Sequence, residues 1–144
     1  MSEGNKKPVL SNFSKVDQIG IVVKDVEKYI KIYEKVFGVE PFPTVESAIN
    51  SAKLKIVLFE LGEVEIELIQ VVEGESIHSK FLKERGEGLH DLGFFVKDLE
   101  KELVRLEKEG IKVLEKSKVF GAVKFAYLDT EKTLGVVLEL IQYD

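Results

Sequence analysis

The chain of 144 residues contains no cysteine. That excludes disulfides, thiolate metal ligands and a cysteine nucleophile, and it fits a reducing compartment. Histidine is nearly as scarce: His78 and His90 are the two present, so an iron centre of two histidines and a carboxylate would need both. No run of 18 apolar residues occurs, and the opening MSEGNKKPVLSNFS has no apolar signal core. The expectation is a cytoplasmic protein with a disordered tail over residues 1–14. Positive charge is in short supply. A net charge of −5 speaks against nucleic acid or an anionic membrane as partner. No glycine-rich phosphate loop, serine triad or dinucleotide motif is found. What remains is a length suited to one domain with a sizeable core.

That domain is written twice. Residues 16–28, VDQIGIVVKDVEK, lie against residues 89–101, LHDLGFFVKDLEK. Gly20 meets Gly93 at an offset of 73, and Val23, Lys24, Asp25, Glu27 and Lys28 meet identical residues at the same offset. The tetrapeptide Glu67-Leu68-Ile69-Gln70 recurs as Glu139-Leu140-Ile141-Gln142, 72 positions on. A register held this long marks two copies of one unit, about 16–74 and 88–144, joined by a short helix near 75–85. In each unit a strand with alternating apolar residues leads to an aspartate at helix-capping position, Asp25 or Asp98. A helix of 3.6-residue periodicity follows and ends near Gly38 or Gly110. Strands are expected at about 45–50, 53–60 and 63–71, then at 112–115, 123–129 and 135–142. The order is β-α-β-β-β, twice.

Strand alternation sorts the side chains. Ile66 and Leu68 should face a helix, which leaves Glu65, Glu67 and Ile69 on the other face. By the same rule Gln18 and Gly20, Asp91, Gly93 and Phe95, and Val137, Glu139 and Ile141 share that second face. If the units meet pseudo-symmetrically, Gln18, Glu67, Asp91 and Glu139 converge on one concave surface. A carboxylate among the apolar neighbours of Glu139 costs several kcal/mol, on the order of the usual burial penalty, unless a cation or hydrogen-bond donors offset it.

The stretches DQIGIVVKDVEKYIKIYEKVFG, VEIELIQ, SIHSKFLKERGEGLHDLGFFVKDLE and FAYLDTEKTLGVVLELIQ resemble the vicinal oxygen chelate superfamily. This group holds lactoylglutathione lyases, methylmalonyl-CoA epimerases, ring-cleaving dioxygenases and bleomycin-resistance proteins, and the similarity runs to its epimerase-like and glyoxalase-like branch. The resemblance implies an α+β fold of two βαβββ modules around a cavity. It implies four metal-ligand positions, which fall on Gln18, Glu67, Asp91 and Glu139. The family's two histidine ligands are thus replaced, by Gln18 and Asp91, and the set is all oxygen. Such donors suit hard cations. The metals in view are Mg, Mn, Co, Ni or Zn, and a metal-free site with a protonated carboxylate is the alternative.

The family's isomerases and lyases remove a proton next to a thioester or carbonyl, with enolate stabilisation by the metal. Glu67 and Glu139 are the candidate bases, with Glu46 a weaker one. An epimerase base would fall near Asn50 or Ser51, and neither can serve. Phe95, Phe120 and Tyr127 are candidate walls of a substrate pocket. His90 is expected to turn to the other face unless a bulge brings it back, and His78 to lie at the surface. The implied partners are a small molecule and a second copy of the chain. The alternative function is a metal-free, bleomycin-resistance-type binding protein using the same cavity.

Overall fold

The computed structural model describes residues 13–119 and 121–143; most of the expected tail lies outside them, as does Phe120. Phe13 stacks on Phe94 with ring centroids 5.0 Å apart. The element order is β1 (Gln18–Val22), α1 (Val26–Phe37), β2 (Val45–Ile49), β3 (Ala52–Leu61), β4 (Val64–Gly74), α2 (Ile77–Arg85), β5 (Gly88–Phe95), α3 (Leu99–Lys108), β6 (Val113–Val119), β7 (Val123–Leu128), α4 (Glu131–Leu134) and β8 (Val137–Gln142). The described strands form one mixed sheet in the order β2-β3-β4-β1-β5-β8-β7-β6. Each repeat supplies one half of it, and the halves meet where β1 pairs antiparallel with β5. The sheet curls until its edges approach: Asn50, after β2, donates from Nδ2 to Glu115 Oε2 of β6 at 2.6 Å. The result is a nearly barrel-shaped sheet of eight strands, as the resemblance implies.

The duplicated segments fold alike for local reasons. Asp25 caps α1 by accepting from the Glu27 N–H, and Asp98 caps α3 by accepting from the Lys101 N–H. The repeated glutamines add a second tie. Gln70 Oε1 accepts from Val26 N at 3.0 Å, and Gln142 Oε1 accepts from Leu99 N at 2.8 Å. The last letter of each ELIQ therefore fastens a helix to its own sheet, using an orphan N–H of the first turn. The chain leaves α1 through Gly38 at φ 69°, a left-handed turn that glycine takes without a Cβ clash.

Packing follows the alternation. Ile66 and Leu68 join Val26, Val57 and Phe59 in a cluster under α1, and Leu140 joins Leu99, Leu103, Leu106, Ala126 and Leu128 in one under α3. A third cluster, with Ile49, Leu54, Ile69, Phe125, Tyr127, Val137 and Ile141, occupies the inside of the curl.

Two expectations need correction, and one element was not expected. The sixth strand runs over Val113–Val119, well beyond the expected 112–115, because Ser117 and Lys118 pair with β7 despite their polarity. Glu131–Leu134 form a single helical turn that carries no sequence periodicity and ends at Gly135. The linking helix starts at Ile77, not 75, because Ser76 and Ser79 make a reciprocal capping box.

Candidate active site

Two glycines make room for the site. Gly20 lies between Glu67 of β4 and Asp91 of β5. Gly93 lies between Gln18 of β1 and Glu139 of β8. A β-carbon at Gly20 would run into both oxygens of Asp91, whereas one at Gly93 would lie 3.1 Å from Gln18 Cβ and Ile141 Cδ1. The acids thus stand over the only side chains in those rows that add no volume.

Glu67, Asp91 and Glu139 each offer an oxygen within 4.8 Å of the others. Asp91 is 0% exposed and Glu139 is buried, while Glu67 is partly open. Among the described residues, Asp91 Oδ1 and Glu139 Oε1 find no donor while both groups are ionised, and buried acceptors left so are rare; a proton on Glu139 bonds it to Asp91. Gln18, also buried, donates from Nε2 to Glu65 Oε1 at 2.7 Å. Its amide oxygen is the atom it can offer a cation.

Burial, with the Asp91 and Glu65 charges adding to it, pushes the Glu67 carboxyl up to about 8. Burial first, then Asp91 and Glu67, hold Glu139 well above the usual carboxylate range, with the Tyr127 hydroxyl acting in the opposite sense. Three close carboxylates need either protons or a cation. The orphaned oxygens, their mutual spacing and the all-oxygen donor set fit a hard divalent cation.

Both histidines depart from expectation. The β1–β5 register shifts between Gly20 and Ile21, whose partners are Asp91 and Leu89. His90 is the residue skipped, and this bulge turns it inward. His90 is buried and its Nδ1 hydrogen-bonds Asp91 Oδ2 at 2.7 Å. His78 is buried too, because the capping box sets α2 so that its first turn faces the sheet. Its Nε2 lies 3.2 Å from the Tyr127 hydroxyl, and its ring sits 4.9 Å from that of His90. Burial, reinforced by His90, lowers the His78 pKa to about 3, so the ring is neutral. The sequence signal for His90 was its position next to Asp91. His78 had no signal beyond the Ser76-x-x-Ser79 spacing.

A cavity of about 350 Å³ opens from the acids, with Gln18, Glu67 and Glu139 at its polar end and Tyr127 and Tyr143 among its walls. Phe95 is not among its lining residues. It is 37% exposed and meets Tyr143 edge-on at 5.0 Å, so Tyr143 holds the wall position expected of Phe95. Glu46 is likewise absent from the lining: it is exposed on β2 and faces Lys53 Nζ at 3.4 Å. Its neighbour Ser47 lines the cavity instead.

Residues 17–127 match the profile of the Glyoxalase/Bleomycin resistance protein/Dioxygenase superfamily. An uncharacterised Bacillus subtilis protein, YqjC, is 28% identical over 131 residues, covering 90% of this chain and 92% of its own length. The mitochondrial methylmalonyl-CoA epimerase of Bos taurus is 26% identical over 137 residues, covering 91% and 75%. Among solved structures, a hypothetical protein of Bacillus halodurans superposes with TM-score 0.77 at 28% identity, over 90% of this chain and 94% of that one. A methylmalonyl-CoA epimerase of Streptomyces coelicolor, complexed with 2-nitronate-propionyl-CoA, gives TM-score 0.74 at 22% identity, over 91% and 95%.

Proposed function

We infer, from the premise that this chain belongs to the glyoxalase/bleomycin resistance protein/dioxygenase superfamily, that its cavity is an isomerase or lyase site. The activity is methylmalonyl-CoA epimerase-like or lactoylglutathione lyase-like: a proton is taken from carbon next to a thioester or carbonyl. The observation that carries this reading is the pair Glu67 and Glu139, one raised to about 8 and the other held well above the usual carboxylate range, both facing one apolar cavity. A base works best when its pKa lies near the working pH, and Glu67, raised to about 8 and partly open, meets that condition. Glu67 takes the proton from carbon. Glu139 holds a proton at the buried end and donates it to the oxygen on which negative charge builds. Tyr127, beside Glu139 on the adjacent strand, closes the wall and keeps water out. Glu67, Asp91, Glu139 and the Gln18 amide oxygen are the residues that would hold a divalent cation. When bound, that cation supplies positive charge next to the substrate oxygen. Each carboxylate has two oxygens, so one can ligate while the other exchanges a proton.

A binding protein of the bleomycin-resistance type is the second reading. It is favoured by the mostly apolar walls and by protons alone being able to neutralise the acids. Proton–deuterium exchange on methylmalonyl-CoA or on a hemithioacetal, followed by NMR with Mg²⁺ or Mn²⁺ present, separates the two. The enzyme reading expects exchange that Glu67→Gln abolishes. Absence of exchange on either compound favours the binder. The reading also includes a cytoplasmic homodimer. The described helices include none long and apolar enough to cross a membrane, and light scattering checks the dimer.

A further inference from the structure

His78 is buried in the first turn of α2 and does not line the main cavity. One hydrogen bond still joins it to a residue that does: its Nε2 lies 3.2 Å from the Tyr127 hydroxyl. A neutral imidazole has one N–H and one bare nitrogen, and burial, reinforced by His90, keeps this ring neutral. The sense of the bond therefore turns on which nitrogen holds the hydrogen.

Ser76 decides that. Its Oγ caps α2 by accepting from the His78 N–H at 3.1 Å and from the Ser79 N–H at 3.3 Å. A hydroxyl has two lone pairs and one hydrogen, so both lone pairs are taken and the hydrogen is left to give. His78 Nδ1 lies 3.4 Å from that oxygen. A hydrogen on Nδ1 would be a third donor aimed at a filled acceptor. Nδ1 is therefore bare, and Nε2 donates to Tyr127 Oη.

The phenol has one hydrogen of its own. With His78 on its acceptor side, that hydrogen goes to the carboxyl of Glu139, the residue paired with Tyr127 across β7 and β8 and hydrogen-bonded to it. Glu115, paired with Tyr127 on the β6 side, is held through Oε2 by Asn50. Donors thus run in one sense from Ser76 through His78 and Tyr127 to Glu139, whose own proton bonds it to Asp91. His90 is wired the opposite way, with Nδ1 donating to Asp91 Oδ2 at 2.7 Å.

We propose that His78 is a positioning residue of the site: as the Nε2–H tautomer set by the Ser76 cap, it holds the Tyr127 hydroxyl as a fixed donor to Glu139. Its catalytic consequence rests on the reading above that Glu139 gives a proton to the substrate oxygen. The carboxylate left behind then keeps a donor that need not reorient. His78 itself stays clear of the ligand.

Long-range proton–nitrogen correlation NMR on ¹⁵N-labelled, metal-free full chain at neutral pH reads the tautomer. The chain has two histidines, and His78→Gln identifies the His78 signals by their loss. The expected pattern is a bare Nδ1 and a protonated Nε2; a hydrogen on Nδ1, or on both nitrogens, overturns the proposal. Deuterium exchange on methylmalonyl-CoA or a hemithioacetal reads the consequence. His78→Leu removes the donor and is expected to lower kcat at least about tenfold with KM changed by less than about twofold. His78→Gln, whose amide N–H reaches towards Tyr127, is expected to recover most of that loss. An unchanged kcat in His78→Leu, or a folded His78→Gln as slow as His78→Leu, overturns the positioning role. Should His78→Leu fail to fold, Tyr127→Phe removes the same donor from Glu139 and carries the test, with an unchanged kcat again overturning it. The expected tautomer without exchange on either compound removes the proton-transfer reading and the positioning role with it, while exchange with the hydrogen on Nδ1 removes the role of His78 alone.

Discussion

The two halves of the sheet share a backbone plan and differ in how each anchors the polar side chain of its first strand. On β1, Gln18 stands opposite Glu65 of β4 and spends its amide N–H on it. At the equivalent place on β5, Asp91 stands opposite Val137 of β8, which offers nothing polar. Asp91 instead takes His90, from its own strand, through a bulge that the first half lacks. Duplication therefore conserves position while the source of support is free to change. The first half leaves its polar group tied at the cavity wall. The second buries a carboxylate completely and builds a histidine pair behind it.

Removing the two supports sharpens that contrast most. His90→Phe keeps the ring volume but leaves Asp91 Oδ2 without its partner, and is expected to cost about 1–3 kcal/mol in denaturant unfolding. Glu65→Ala, which frees the Gln18 amide at a partly exposed site, is expected to cost about 1 kcal/mol or less. Equal losses would break the comparison. The glycines come next. Gly20→Ala forces Asp91 aside and is expected to cost about 1–3 kcal/mol, while Gly93→Ala meets side chains that can shift by a few tenths of an ångström and should cost less than Gly20→Ala in the same assay.

The metal-free protein should also show a defined pH profile. Glu67 keeps its proton in the fold up to about 8 and Glu139 is held well above the usual carboxylate range, whereas unfolded carboxylates are ionised above about 4.5. The unfolded state then binds fewer protons, so the Glu67 contribution to stability is lost as pH rises from about 4.5 to 8. His78 acts on the other limb. It is neutral in the fold and charged in the unfolded chain below its ordinary pKa, so its contribution is lost as pH falls through about 6 towards 3. Thermal melts of wild type and Glu67→Gln check this: the variant should flatten the alkaline limb and leave the acid limb alone. The smallest effect is a symmetry check. Gln70→Leu and Gln142→Leu each remove one acceptor from a helix start and should each cost about 1 kcal/mol.

Most of the fold was legible because it is repeated. Asp25 with Asp98, Gly20 with Gly93 and the two ELIQ segments fixed one register, and alternation then put Glu67, Asp91 and Glu139 on one face. What escaped was set by tertiary contact. His90 turns inward because of a one-residue bulge, which a regular period of two cannot encode. His78 is buried because helix α2 docks on the sheet, although the helix itself is mostly polar in sequence. Tyr143, rather than Phe95, lines the cavity because β8 ends at Gln142 and sends the next side chain over the opening.

Glu67, Asp91 and Glu139 stand close enough to share one cation. Titration of metal-free protein with Mn²⁺ at pH 7, by calorimetry in buffers of different ionisation enthalpy, reads stoichiometry and proton release together. The prediction is one ion per chain, with release of a proton from the Glu67–Glu139 pair, and loss of both signals in Glu139→Gln. Absence of binding, or binding to Glu139→Gln with unchanged affinity and proton release, would contradict it.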